Sequence, residues 1–239
     1  MAEAQGEVRL MDVPVYNMSG KEVGTMSIDE QALGGSINAA LIKQAYVRYH
    51  ANLRQGSSRT RGRKDIAGST AKMYKQKGTG RARHSTKKVN LFKGGGHTFA
   101  KSRPKADYRK DMPTKMRRKA NRNALLAKLI DNEVKIIDDL SLSAPKTKDF
   151  VKLMEALGID RRALVALAHG DKSQNVRLGA RNIDDVALCS VEQINCFELL
   201  NHRYLIVGKA ELEGWLAGPS SQIDKLAKVA PMGRREETD

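Results

Sequence analysis

Lysine and arginine side chains dominate the stretch from Tyr74 to Gly96, YKQKGTGRARHSTKKVNLFKGGG, which contains seven of them and no acidic residue. Cationic groups this close together repel one another unless anions lie between them. Arginine binds phosphate through two parallel N–H donors, and lysine binds it as a compact positive charge. The chemistry that this spacing offers is therefore the binding of a polyanion.

The excess positive charge of the chain is concentrated in one internal segment. The 239 residues include 43 lysines and arginines and 27 aspartates and glutamates, for a formal net charge of +16. Residues 54–122 hold 23 of the basic residues and three of the acidic ones, so the remainder is slightly acidic. This distribution favours a nucleic-acid partner. A membrane partner is disfavoured, because the cations do not lie on an amphipathic helix and no apolar run approaches about 20 residues.

The glycines of this segment also suggest a mononucleotide loop, but the pattern does not fit one. KGTGRAR and FKGGGHTF match neither a Walker loop nor a GxGxxG fingerprint, and neither lies between a strand and a helix. Glycine instead allows the backbone to lie against a phosphate–sugar surface. Because no helix-turn-helix or zinc-finger spacing is present, we expect this irregular segment to bind folded RNA rather than to read a DNA groove.

An enzymatic interpretation rests on the sequence ALVALAHGDKS, in which His169, Asp171 and Ser173 follow an apolar run. The carboxyl ends of parallel strands are where α/β enzymes place their active sites. The alternative is that these residues, like Asp138 and Asp139 after the preceding run, turn the chain and cap a helix. No nucleophile motif accompanies them, and the histidines and the two cysteines lack metal-ligand spacing, so we predict neither an enzyme nor a metal or other cofactor.

The elements that must position the cationic segment are predicted from apolar patterns on either side of it. Four apolar runs after residue 130 predict buried strands at 134–138, 163–168, 185–191 and 204–208. Helical patterns lie between or after them, at 147–157, 173–183, 192–201 and 209–217. Strands that alternate with helices predict an α/β fold with a mostly parallel sheet.

Two further elements flank the segment directly. Residues 7–28 predict a strand pair around a turn at 17–20, followed by a helix that Ser36 could cap, with Ile37, Ala40, Leu41 and Ala45 on its buried face. Residues 115–132 predict a helix that buries Met116, Ala120, Ala124, Ala127 and Ile130 and turns Arg117, Arg118 and Arg122 outward.

Residues 54–104 show no periodic pattern of apolar residues and are therefore predicted to form a long loop. If about 50 residues leave the domain and return to it, each half has about 25 residues, and full extension limits the reach of the loop to roughly 80 Å.

The residues of this loop closely resemble the signature of the universal large-ribosomal-subunit protein four family, of bacterial type. The resemblance is carried by RQG at its start, QKGTGRAR, the aromatic-Lys-Gly-Gly-Gly step, and RPKADY at its end, with APKTK (144–148) and ARNI (180–183) downstream. It extends in order over about residues 7 to 217. Tyr74 and Phe92 stand where the family often has tryptophan, Met73 and Asn90 where it has proline, and Ser85 where it has glycine. An aromatic ring is kept at both tryptophan positions.

The resemblance implies a three-layer α/β globular domain, formed by residues 1–53 and 105–217, and an extended internal basic loop, 54–104, that penetrates ribosomal RNA. Residues 218–239 lie outside the resemblance, and their sequence, which ends PMGRREETD, predicts a disordered tail. The resemblance also implies a structural constituent of the large ribosomal subunit in the cytoplasm, with ribosomal RNA and neighbouring large-subunit proteins as partners and no membrane or small-molecule substrate. The loop tip would reach the polypeptide exit tunnel opposite the loop of another protein, and some family members repress their own operon.

The residues expected at the site follow from the loop charges and from this resemblance. The predicted contacts to ribosomal RNA are Arg54, Arg59, Arg61, Arg63, Lys64, Lys72, Tyr74, Lys75, Lys77, Gly78, Gly80, Arg81, Arg83, Lys87, Lys88, Phe92, Lys93, Gly94, Gly95, Gly96, Arg103, Arg117 and Arg118. By resemblance, the residues nearest the tunnel are Gly68, Ser69, Thr70, Ala71, Lys72, Met73 and Tyr74, and the stretches 76–83 and 92–96 lie along the RNA-embedded stem. Two rivals stay open: a free RNA-binding chaperone or regulator, and an α/β enzyme acting on RNA through His169 or Asp171.

Overall fold

The computed structural model describes residues 9–101, 108–168 and 170–218. The chain divides into two compact units. One, called here the α/β unit, consists of the residues up to Tyr49 and from Met112 onward, and the other, the cationic unit, is His50–Asp111. Predictions that fall on Arg103, on His169 and on the tail beyond Gly218 lie outside the described residues.

A six-stranded sheet forms the centre of the α/β unit. Its strands are β1 (Leu10–Tyr16), β2 (Glu22–Asp29), β3 (Val134–Ile137), β4 (Ala163–Leu167), β5 (Val186–Ser190) and β6 (Tyr204–Gly208), in the order β2-β1-β3-β6-β4-β5. β1 and β2 pair antiparallel around the turn predicted at 17–20, where the Asn17 side chain accepts hydrogen bonds from the amides of Ser19 and Lys21. The remaining pairings are parallel, so the predicted α/β class with a mostly parallel sheet is confirmed.

Helices connect the strands at nearly the predicted positions. They are α1 (Ala39–Leu53), α2 (Thr114–Ile130), α3 (Thr147–Ala156), α4 (Asp171–Ala180), α5 (Cys196–Asn201) and α6 (Lys209–Ala217), with a short 3₁₀ turn at Val191–Gln193. Among the helices of the described ranges, none is both long enough and apolar enough to cross a bilayer.

Two hydrophobic cores lie on opposite faces of the sheet. On β4, Leu164 and Ala166 belong to the core that includes residues of α1, α2, α5 and α6, whereas Ala163, Val165 and Leu167 belong to the core under α3 and α4. Because successive side chains of a strand point to opposite faces, helices cover both sides of the sheet. This is the predicted three-layer arrangement.

The start of α1 differs from the prediction. Asn38, not Ser36, caps the helix, because its side-chain oxygen accepts a hydrogen bond from the Leu41 amide at 3.0 Å. The buried face consists of Leu41, Ile42 and Ala45, while Ile37 is exposed. Asparagine caps a helix as well as serine does. Because both Ser36 and Asn38 precede the helix, residue type alone could not distinguish between them.

The buried face of α2 also differs from the prediction. Met116 and Ile130 are partly exposed, and Arg122, predicted on the outer face, is only 4% exposed. Asn123 is fully buried; its amide donates to the Leu33 carbonyl at 3.0 Å, and its oxygen accepts from the Asn38 amide at 3.3 Å. The loop after β2 therefore packs on α2 and covers a polar part of the helix surface.

Candidate nucleic-acid interface

The cationic unit holds its chain in two antiparallel arms with almost no regular secondary structure. Beyond the end of α1 at Leu53, the described residues 54–101 form turns and bends. The Thr60 amide donates to the Lys101 carbonyl at 2.8 Å, and the Lys101 amide returns a bond to the Thr60 hydroxyl at 2.6 Å. Further along, the Met73 amide donates to the Ser85 carbonyl at 2.8 Å. These bonds join residues early in the segment to residues late in it, as in a hairpin.

Glycine allows the two arms to touch backbone to backbone. Gly96 is buried, and a Cβ atom at this position would lie 2.4 Å from the Arg63 nitrogen and 2.6 Å from its Cα. The Gly96 amide donates to the Lys88 carbonyl, and the neighbouring His97 amide donates to the Arg61 carbonyl at 2.9 Å. The glycine run at 94–96 thus brings the arms together without any apolar core between them.

The chain reverses direction between Tyr74 and Ala82. The Tyr74 hydroxyl donates to the Ala82 carbonyl, and Gly78 and Gly80, with φ of +83° and +62°, lie within the reversal. The stretch 76–83, predicted for the stem, therefore includes this turn. Residues 68–73 belong to the first arm; their proximity to a tunnel stays a prediction.

The aromatic residues predicted to contact RNA also make contacts within the cationic unit itself. Phe92 and His84 form an edge-to-face pair with ring centroids 5.0 Å apart, and both side chains are half-buried. Tyr74 is half-buried as well. These rings therefore contribute to the packing of the arms, and their contact with RNA stays a prediction.

The cations of the unit point outward. Residues 54–101 contain fourteen lysines and arginines and one acidic residue, Asp65. Lys88 is half-buried, whereas the other predicted cationic contacts in this range are exposed: Arg54, Arg59, Arg61, Arg63, Lys64, Lys72, Lys75, Lys77, Arg81, Arg83, Lys87 and Lys93. An exposed, like-charged surface of this kind is stabilised by an external polyanion.

Asp65, the acidic residue of these arms, stabilises the backbone conformation of the first arm. Asp65 accepts hydrogen bonds from Arg59 at 2.6 Å and from the Gly62 amide at 3.1 Å. The Arg59 hydrogen bond, followed by the Gly62 amide, lowers the pKa of Asp65 below its usual range. Because one carboxylate neutralises one of fourteen cations, the surface keeps its positive sign.

The Asn52 side chain links the two ends of the cationic unit by hydrogen bonds. Its amide nitrogen donates to the Lys110 carbonyl at 3.2 Å, and its oxygen accepts from the Lys110 amide at 2.9 Å. Arg54 lies over the Tyr108 ring at 5.4 Å. Neither Asn52 nor Thr60 was predicted at the site, because an isolated amide or hydroxyl gives no periodic signal that it will pair with backbone some 40 to 60 residues away.

Two predicted contacts belong to the α/β unit and not to the arms. Arg117 and Arg118 lie half-buried on α2, and the Arg117 guanidinium donates to the Thr114 hydroxyl at 3.3 Å. They are therefore basic residues of the α/β unit, and their contact with RNA stays a prediction.

The residues of the enzymatic alternative make structural contacts where they are described. The Ser173 hydroxyl lies 2.7 Å from the Ala168 carbonyl and 2.9 Å from that of Gly170, so it donates back into the turn that precedes α4. The Asp138 amide donates to the Tyr16 carbonyl, and the Ser141 hydroxyl donates to Asp139 at 3.0 Å. These contacts support the interpretation that the residues turn the chain.

The fold and the interface together define an α/β protein with an internal cationic hairpin suited to bind phosphates. The profile of the Ribosomal protein L4/L1 family matches residues 26–215, which include the arms, strands β3 to β6, helices α1 to α5, the second half of β2 and most of α6. The large ribosomal subunit protein uL4 of Dehalococcoides mccartyi is 40% identical over 197 residues, which cover 82% of this chain and 92% of the relative. The chain belongs to the Ribosomal protein L4/L1 family.

Proposed function

We propose that this protein is a structural constituent of the large ribosomal subunit in the cytoplasm, without catalytic activity, and that its cationic unit binds ribosomal RNA. Membership in a family of ribosomal proteins supports the assignment, as does a relative whose name places it in the large subunit. The observation that carries the RNA proposal is the exposure of thirteen basic side chains on the two arms, which contain a single acidic residue.

The physical role of the arms follows from their charge and their narrowness. Where RNA helices converge, phosphates repel one another, and exposed lysines and arginines between them reduce this repulsion. Arms joined through glycine backbone, as at Gly96, have no layer of side chains between them, so we expect them to fit between helices. We infer that the protein stabilises a junction of RNA helices rather than reading a base sequence.

We extend the proposal to the exit tunnel. The residues nearest the tunnel would be 68–74 and the turn that follows them, opposite a loop of a neighbouring large-subunit protein. Support comes from the family resemblance of this stretch and from the reversal of the chain between Tyr74 and Ala82. Crosslinking of a stalled nascent chain to a photoreactive residue at position 72 tests it; crosslinks only to RNA would contradict it.

Salt-dependent binding of a large-subunit rRNA transcript tests the RNA proposal. Six to ten phosphate contacts predict that affinity falls by about 10³–10⁵ between 50 and 200 mM salt. The double variant Lys75→Gln, Lys77→Gln should lower the salt slope by about 1.4 to 1.8. A matched control, Lys148→Gln with Lys152→Gln, removes the same charge from the exposed face of α3 and should leave the slope nearly unchanged. Equal effects of both pairs would contradict the proposal.

Removing the arms provides a second test. Because Thr60 and Lys101 are hydrogen-bonded neighbours, a short Gly-Ser linker can replace residues 61–100. We expect the α/β unit to keep its cooperative melt by circular dichroism while rRNA affinity is lost. Co-sedimentation of the full chain with large subunits in stringent salt separates this proposal from a free RNA chaperone, which would wash off.

Repression of its own operon would use the same RNA-binding surfaces. It requires that the protein binds the leader of its own messenger RNA in competition with rRNA. A gel-shift titration with both RNAs tests this, and failure of excess rRNA to displace the leader would contradict a shared surface.

A further inference from the structure

Two side chains near the ends of the cationic unit each bind the backbone of a residue on the opposite side. The Asn52 amide group donates to the Lys110 carbonyl at 3.2 Å, and its oxygen accepts from the Lys110 amide at 2.9 Å. Thr60 and Lys101 form the second pair. The Thr60 amide donates to the Lys101 carbonyl at 2.8 Å, and the Lys101 amide donates to the Thr60 hydroxyl oxygen at 2.6 Å. These two pairs, Asn52 with Lys110 and Thr60 with Lys101, are called here the clasps.

Each clasp reproduces the hydrogen bonding of a residue pair in an antiparallel sheet. In such a sheet, one residue satisfies both the N–H and the C=O of the residue opposite it. In the clasps a side-chain amide or hydroxyl supplies part of this bonding, so the chain is joined without a regular ladder of strands. A pair that satisfies both backbone groups of one residue fixes the register of the two sides as well as their distance. The clasps therefore determine where the two arms begin.

Positive charge is compensated near the clasps and uncompensated beyond them. Arg54, between the clasps, lies over the Tyr108 ring at 5.4 Å, and Arg59 forms an ion pair with Asp65 at 2.6 Å. Residues 61–100 contain eleven lysines and arginines, with Asp65 as their acidic residue, and none of them belongs to either hydrophobic core. In RNA-free protein, repulsion between the arms therefore acts mainly beyond the clasps, where exposed backbone hydrogen bonds and glycine contacts oppose it.

We propose that Asn52 and Thr60 are positioning residues, which keep the ends of the cationic unit paired in RNA-free protein so that RNA binding orders residues 61–100 alone. Each residue that becomes fixed on binding costs conformational entropy, which lowers affinity. Residues already held by the clasps do not add to this cost, and they start both arms from one fixed origin. The paired ends are a property of the RNA-free chain, whereas the effect on affinity rests on the proposed function.

Amide hydrogen exchange of the RNA-free, full-length protein tests the clasps directly. The Lys101 and Lys110 amides should exchange at least about tenfold more slowly than in the unfolded chain, because each is hydrogen-bonded within a clasp. The His97 and Met73 amides, which are bonded beyond the clasps, should exchange within about threefold of the unfolded rate. Unfolded-like rates at Lys101 and Lys110, or equal protection of all four amides, would overturn the proposal.

The Thr60 hydroxyl can be removed with little change of shape. Thr60→Val loses the oxygen that accepts from the Lys101 amide, whereas Thr60→Ser keeps it. We expect Thr60→Val to speed exchange of the Lys101 amide about tenfold and to weaken binding of a large-subunit rRNA transcript about two- to tenfold. The salt slope should stay unchanged, because no cation is removed. Thr60→Ser, and the control Ser58→Ala, which removes an exposed hydroxyl two residues earlier, should bind within about twofold of the wild type.

Asn52→Ala tests the other clasp against a purely helical role. Asn52 lies in the last turn of α1, where alanine is a better helix former than asparagine. A purely helical role predicts unchanged rRNA affinity and a melt of the α/β unit that is unchanged or raised. A clasp predicts faster exchange of the Lys110 amide and about two- to tenfold weaker binding.

The outcomes separate the clasps from the proposed function. Wild-type affinity of both Asn52→Ala and Thr60→Val, or an equal loss of affinity in Thr60→Ser and Thr60→Val, would overturn the positioning role. Should the wild type fail to bind rRNA in a salt-dependent way, the proposed function fails. The exchange rates of the RNA-free protein then still decide whether the clasps hold the ends of the cationic unit together.

Discussion

Replacing Gly96 with alanine should weaken rRNA binding without removing any charge. At this position the late arm of the cationic unit lies directly against the early one. The added methyl carbon would be 2.4 Å from the Arg63 nitrogen, 2.6 Å from its Cα and 2.8 Å from the Gly62 carbonyl carbon. All three are backbone atoms, so no side chain can rotate away, and the arms must separate by about 1 Å to restore ordinary contact.

The expected magnitude follows from the cost of overpacking. A forced backbone shift of this kind costs about 1–3 kcal/mol. The free protein can open its arms and relieve the contact, whereas arms enclosed by RNA cannot. The cost then appears in binding, as a loss of affinity of about 5- to 150-fold. The salt slope should stay as in the wild type, because the number of phosphate contacts is unchanged.

The assay is filter binding of the full chain to an rRNA transcript at several salt concentrations. Gly62→Ala is the matched control, since its methyl carbon would lie 3.3 Å from the Ala100 side chain, a distance that small adjustments relieve. We expect less than about a threefold change for the control. Wild-type affinity of Gly96→Ala would refute the packing of the two arms in the bound protein, and a lowered slope would show that charge contacts were lost instead.

Three further predictions concern the α/β unit. Asn123→Ala removes a fully buried amide with two hydrogen bonds and should lower the free energy of unfolding by about 2–4 kcal/mol, measured by urea denaturation. Phe150→Ala, at a fully buried position of α3, should cost about 3–5 kcal/mol by the same measurement, while its neighbour Val151→Ala, 39% exposed, should cost less than 1 kcal/mol. Burial raises the pKa of Cys189 to about 12 and that of Cys196 to about 11. Both thiols should therefore resist alkylation at pH 8 until urea unfolds the chain; fast alkylation of native protein would contradict these raised pKa values. Because unfolded thiols lose their protons from about pH 8.5 while the folded ones keep them, stability should fall as the pH rises above that value.

The strands and most helices could be predicted because their apolar patterns are local. The runs at 163–168 and 204–208 gave β4 and β6 to within one residue, since a strand buried on both faces is apolar throughout. Helix α5 begins at Cys196 rather than 192 because the Asn195 side chain caps it, accepting from the Glu198 amide at 3.0 Å. The four preceding residues resemble helix in composition but include a 3₁₀ turn.

The burial of Arg122 and the pairing of the arms could not be predicted, because both depend on contacts distant in sequence. Arg122 is buried beside a loop nearly 90 residues earlier, which Asn123 fixes in place. The arms join through backbone groups and glycine, as between Arg61 and His97, and such contacts leave no pattern of side-chain type. The charge of the arms was visible in the sequence, and their geometry was not.

The most direct test of the RNA-binding proposal is a density map of large ribosomal subunits that contain this chain. We expect residues 61–100 to lie among rRNA helices, with the guanidinium groups of Arg61, Arg63, Arg81 and Arg83 within hydrogen-bond distance of phosphates. A map in which these arms face solvent, while only the α/β unit contacts the ribosome, would contradict the account.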